Sequence, residues 1–81
     1  MIEKSEDFLT ELGFGQSRVR HHGDVARIEL LPQEFDKLMD KEVREKVYSE
    51  LTRIGFKYVT LDIRGFRTGS MNEVLQWTKE K

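Results

Sequence analysis

The sequence contains no cysteine in its 81 residues, which excludes disulfide bonds, thiolate metal sites and a cysteine nucleophile. No apolar run approaches the ~18 residues that a membrane-spanning helix requires, and the opening MIEKSEDFL lacks the apolar core of a signal peptide. Lysine and arginine number 14 against 15 aspartates and glutamates, so the net charge is -1. We therefore expect a cytoplasmic domain with no membrane and no nucleic-acid partner, in which any basic site is local.

Helices are predicted where apolar residues recur at helical spacing and a glycine followed by phenylalanine ends the pattern. The first such segment runs from about Ile2 to Leu12 and stops at Gly13. The second carries its apolar stripe from Val43 to Ile54 and stops at Gly55. A Ser-x-x-Glu capping box, residues 70–73, predicts the start of a last helix.

Three strands are predicted between and after these helices. Ser17–His22 and Val25–Leu31 alternate with period two around Gly-Asp, which indicates a hairpin, and KYVTLDI, residues 57–63, is rich in β-branched residues. The only proline, Pro32, suits the start of a short helix that breaks near Asp40. The expected fold is a single small α+β domain, residues 1–81, in the order α-β-β-α-β-α. Because a helical crossover makes the second and third strands parallel, the three-stranded sheet is mixed, with helices covering one face.

Alternation along the strands places three arginines on the face opposite the apolar one. Arg18, Arg20 and Arg27 share this face with Glu29 and Asp62. Guanidinium groups offer forked donors to phosphate or carboxylate, and arginines at i and i+2 of a strand stand about 7 Å apart. The same residues are also typical of solvated cross-strand ion pairs, each worth about 0.2–1 kcal/mol. Composition and spacing leave both interpretations open.

Other candidates for chemistry are weaker. His21 and His22 are adjacent in a strand, so they face opposite sides and cannot chelate one metal ion together. The loop GFRTGS has the order strand, glycines, helix start that can hold an anion, with Arg67 and Ser70 as candidate contacts, but an ordinary capped loop is the favoured interpretation. No paired nucleophile and base is evident, so the chain is not expected to catalyse a reaction alone.

Two long stretches carry a resemblance to a known family. LGFGQSRVRHHGDVARIEL and IGFKYVTLDIRGFRTGSMNEVL are similar to the C-terminal region of the ATP-dependent sacrificial sulfur transferases, the LarE family of PP-loop proteins. The resemblance implies a partner PP-loop ATPase domain that activates a pyridinium dicarboxylate mononucleotide with ATP and Mg, after which sulfur is delivered toward the nickel-pincer cofactor. This chain has neither a Ser-Gly-Gly-x-Asp-Ser PP-loop nor a cysteine. It therefore resembles the C-terminal domain of a larger sulfur transferase, or a relative that keeps only this module.

The resemblance also implies roles for individual residues. The two arginines of its R-x-R motif, Arg18 and Arg20, and an acidic residue on the preceding helix, Glu6, are expected near phosphate and metal. Asp62 and Asp36 are further candidate carboxylates for metal or substrate. No cofactor is expected on this chain alone, and the expected ligand is the phosphate of an anionic nucleotide substrate.

An assembly role is the alternative to ligand binding. The family forms rings, which implies a homo-oligomer in the larger protein. The domain could then act as an oligomerisation or interaction module with no ligand of its own, through Val25, Tyr58 or Trp77. A regulatory nucleotide-binding domain is a third reading.

Overall fold

The computed structural model of the protein describes residues 1–66. A single 3₁₀ turn, Pro32–Glu34, precedes the second helix. The elements in chain order are α1 (Ile2–Glu11), β1 (Ser17–His22), β2 (Val25–Leu30), α2 (Phe35–Met39), α3 (Lys41–Ile54) and β3 (Tyr58–Leu61). The α+β class is confirmed, and so is the predicted order as far as β3. The predicted last helix lies outside the described residues.

The two helix-ending glycines do what the repeated sequence pattern predicts. Gly13 and Gly55 adopt φ angles of 95° and 142°, in the region where a side chain is strained. Phe14 and Phe56 then turn back, each donating its N–H to a carbonyl in the last turn of the helix at 3.1 Å. Both rings are only 2% exposed. The glycines therefore reverse the chain so that an aromatic ring seals the end of each helix.

The predicted break near Asp40 is also present. The Asp40 carboxylate accepts the backbone N–H of Val43 at 3.3 Å, which caps the start of α3. The backbone of Asp40 is extended, with φ -57° and ψ 131°, so α2 and α3 are two helices rather than one rod.

The sheet has the order β1-β2-β3. β1 and β2 are antiparallel, with Val19 opposite Ile28 and Arg20 opposite Arg27. β2 and β3 are parallel, with Arg27 opposite Thr60. The mixed sheet is thus confirmed, and β1 and β3 are its two edges among residues 1–66.

The core lies between the helices and one face of the sheet. Val19 of β1 and alternate residues of β2 enter it together with the apolar stripes of the helices. Burial of each large side chain stabilises the fold by roughly 1.5–3 kcal/mol. Its buried members are Leu9, Phe14, Val19, Ala26, Ile28, Leu30, Leu38, Val47, Leu51 and Phe56. The helices therefore cover one face, as predicted, and leave the other for polar residues.

The third strand is shorter than the sequence pattern suggested. It ends at Leu61, and Ile63, the last apolar residue of the predicted strand 57–63, is 83% exposed instead of packing in the core. The cause is a turn in which Asp62 accepts the N–H of Arg64 through Oδ1 at 2.9 Å and the N–H of Gly65 through its carbonyl at 3.0 Å. Within the described part of the chain, no helix is long and apolar enough to cross a membrane.

Candidate anion-binding face

The face of the sheet opposite the helices gathers the charged residues that period two predicted there. We call Arg18, Arg20, Arg27, Glu29 and Asp62 the arginine face. Arg18 lies opposite Glu29, and Arg20 lies opposite Arg27, in the register of the hairpin. Three guanidinium groups against two carboxylates leave this face one net positive charge, on a chain whose total charge is -1.

Glu29 is the centre of the arginine face. Its side chain is 1% exposed, and its Oε2 lies 3.2 Å from Arg27 Nη2 and 3.5 Å from Arg20 Nε. Its Oε1 is buried and has no hydrogen-bond partner among residues 1–66. Sequence reasoning treated Glu29 only as an exposed pairing partner. The sequence does carry one signal for the burial of Glu29, which is its position between arginines on both strands. Two cations can offset the burial of one carboxylate.

Arg27 is the most constrained of the three arginines. Besides Glu29, it faces Asp62, with 3.9 Å between Arg27 Nε and Asp62 Oδ2. That Nε is buried and makes no hydrogen bond within the described part of the chain. Asp62 is 15% exposed and already accepts the N–H of Arg64 through its other oxygen. Both groups therefore belong to a network within the protein, as the ion-pair interpretation predicted.

Arg18 differs from the other two arginines. Its side chain is exposed and forms no ion pair within residues 1–66. The guanidinium carbon stands 5.9 Å from the centroid of the Phe66 ring, a cation–π contact that orients it. Arg18 is consequently the arginine of this face with the most donor capacity left for a ligand.

The candidate carboxylates do not converge on one point. Asp62 lies on the arginine face, Asp36 is exposed on α2, and Glu6 extends from α1 to accept the backbone N–H of Val19 at 2.9 Å. No group of three or more histidine, aspartate or glutamate side chains within residues 1–66 could hold a metal ion. The role of these three carboxylates toward a metal or a substrate therefore stays a prediction.

Some of the remaining predicted residues lie in the described part of the chain, and the others lie outside it. The His21 ring packs against Phe56, with 5.5 Å between centroids, while His22 lies beside the hairpin turn. Arg67 and Ser70, the predicted anion loop, lie outside the described residues, as does Trp77. The described part of the site is therefore the arginine face.

Fold and face together define a small α+β module with a local basic surface on a nearly neutral chain. No family model matches the sequence. Over 74 residues, 91% of this chain, it is 44% identical to pyridinium-3,5-bisthiocarboxylic acid mononucleotide synthase of Lactiplantibacillus plantarum. It is 35% identical over 74 residues to an uncharacterized protein of Synechocystis sp..

These relatives are much longer than the chain. The match covers 26% of the synthase and 28% of the Synechocystis protein, so the chain spans about a quarter of the curated relatives it matches. The synthase is the LarE enzyme, and the resemblance to the LarE family is thereby confirmed for this region.

Proposed function

We propose that this domain binds the phosphate group of an anionic mononucleotide as the substrate-binding part of a sulfur transferase. The observation that carries the proposal is Arg18, an exposed arginine that has no ion pair with any residue from 1 to 66, on a face that two further arginines share. A phosphate accepts paired N–H donors from a guanidinium group, and this geometry favours arginine over lysine.

The neighbours of Arg18 support this role. Arg20, two residues along the strand, contacts Glu29 through Nε, and its side chain is 40% exposed. Arginines at this spacing stand about 7 Å apart, so one phosphate can reach both. Glu29 contacts both Arg20 and Arg27 through its buried carboxylate, which restricts where their guanidinium groups lie. The face is therefore preorganised for an anion, which lowers the entropy cost of binding.

The larger reaction is inferred from the relative. The name of the synthase describes a pyridinium mononucleotide carrying two thiocarboxylic acids, an anion that a basic face suits. This chain has no cysteine and no PP-loop sequence. We assign ATP, Mg and sulfur delivery toward the nickel-pincer precursor to a PP-loop ATPase domain, with this module holding the substrate in a cytoplasmic homo-oligomer.

The test compares Arg18→Ala with Arg44→Ala, a variant of equal charge whose arginine is exposed on α3. Inorganic phosphate and AMP are titrated at low salt, with backbone amide shifts as the readout. Each charged contact is worth about 1.5–3 kcal/mol before association costs, so millimolar binding is expected. Arg18→Ala should weaken binding about tenfold or more, since 1.4 kcal/mol is a factor of ten. Equal binding by both variants would contradict the proposal.

A second candidate function is an interaction module. Tyr58 is 63% exposed and lies opposite Val25, at the end of the sheet edge formed by β3. An unpaired edge with an exposed aromatic ring is a common site of association. Sedimentation of wild type and Tyr58→Ser from micromolar to millimolar concentration tests it. A mass that rises with concentration only in wild type supports the interaction module, and a monomer throughout contradicts it.

A further inference from the structure

Glu6 reaches the strand that carries two of the arginines. Its Oε2 accepts the backbone N–H of Val19 at 2.9 Å in a partly buried hydrogen bond between residues 13 positions apart. Val19 lies between Arg18 and Arg20, and its side chain is 2% exposed in the core. β2 is the only strand that pairs with β1 within residues 1–66, so this N–H belongs to the open edge of the sheet. Glu6 therefore supplies the acceptor that a neighbouring strand would otherwise provide.

A second carboxylate holds the same segment a few residues earlier. The N–H of Gly15 lies 3.0 Å from Glu34 Oε1 and 3.1 Å from Oε2. The backbone from residue 15 to residue 19 is thus tied to α1 by one carboxylate and to the 3₁₀ turn by another. Edge strands are free to shift register or fray, and these two bonds restrict that freedom at the entrance to β1.

We propose that Glu6 is a positioning residue for the anion site and does not touch the anion itself. By fixing the peptide N–H between the two arginines, it sets where their guanidinium groups emerge on the opposite side of the strand. This inference rests on the proposed function, and it gives Glu6 a different task from the metal or substrate carboxylate that the resemblance implied. A positioning hydrogen bond depends on reach and on an acceptor oxygen, whereas a metal ligand or a substrate counter-charge depends on the negative charge.

Three substitutions separate these roles. Glu6→Gln keeps the length and an acceptor oxygen but removes the charge. Glu6→Asp keeps the charge but is one methylene shorter, and Glu6→Ala removes both. Glu11→Ala, an exposed position in the same helix, controls for helix propensity and for the loss of one negative charge.

Two readouts are recorded on the full 81-residue chain: hydrogen exchange of the Val19 amide, and the dissociation constant of inorganic phosphate from amide shifts. We expect Glu6→Asp and Glu6→Ala to accelerate Val19 exchange about tenfold and to weaken phosphate binding several-fold. Glu6→Gln and Glu11→Ala should stay within about twofold of wild type in both readouts, because each retains the hydrogen bond. If Glu6→Ala fails to fold, the contrast between the Gln and Asp variants still separates a positioning role from a role that depends on charge.

Two results would overturn the positioning role. One is Val19 exchange that is unchanged in every folded Glu6 variant. The other is phosphate binding that follows charge, with Glu6→Asp like wild type and Glu6→Gln impaired. A wild-type chain that binds no phosphate would contradict the proposed function alone. In that case the Val19 exchange rate, together with the Nε–H signals of Arg18 and Arg20, would still decide whether Glu6 positions the strand.

Discussion

At the scale of single residues, the arginine face is organised by a carboxylate that water does not reach. Glu29 contacts Arg20 and Arg27 through one oxygen, while the other oxygen is buried and has no hydrogen-bond partner in the described residues, 1–66. A buried carboxylate is tolerated only when cations offset its desolvation. The two arginines therefore stabilise the buried carboxylate of Glu29, and Glu29 in turn positions them. Removing either the carboxylate or the arginines leaves the remaining charged groups without their partner.

Glu29→Ala should lower the free energy of unfolding by about 1–3 kcal/mol, because two arginines lose the acceptor they share. The arginines are 40% exposed and regain water, which keeps the loss below that of a fully buried pair. Urea unfolding measures it, with Glu45→Ala on the exposed side of α3 as the control. Equal unfolding midpoints for the two variants would mean that the Glu29 network adds nothing to stability.

At the scale of elements, the repeated helix–glycine–phenylalanine unit was the most predictable feature. Gly13 needs its positive φ of 95° for Phe14 to return onto α1, and the sequence carries that requirement locally. The end of β3 was less predictable, because Asp62 continues the alternation of the strand while its side chain forms a turn that directs Ile63 outward. A period of two identifies a face, but it does not reveal where the chain leaves the sheet.

The two glycines that flank Phe14 offer a matched test of the turn. Gly13→Ala should destabilise the domain by about 1–2 kcal/mol, the penalty for a side chain at left-handed φ. A Cβ there would also stand 2.7 Å from Lys37 Nζ, which must move. Gly15 has no positive φ, and a Cβ on it would meet Glu34 at an ordinary 3.6 Å. Thermal unfolding should therefore show a loss for Gly13→Ala and little change for Gly15→Ala, and the reverse order would refute this account of the turn.

At the scale of the whole molecule, a nearly neutral chain concentrates arginine on one side of a three-stranded sheet. Strand alternation was enough to predict which face of the sheet carries Arg18, Arg20 and Arg27, since the hairpin register fixes which residues share a face. The burial of Glu29 did not follow, because alternation gives direction but says nothing about what covers a side chain. The bond from Glu6 to Val19 was equally hidden, since it joins a helix and a strand through a contact that no local pattern encodes.

The proposed function requires that the arginine face binds phosphate. The most direct measurement is a titration of the isotopically labelled wild-type chain with inorganic phosphate at low salt, in which every backbone amide is followed. We expect saturable shifts at residues 18–22 and on the facing strand, residues 25–30, with millimolar affinity. Plain phosphate and AMP should compete for the same amides. The absence of shifts at tens of millimolar, or shifts spread evenly over the helices, would contradict the claim and leave these arginines as ion-pair partners alone.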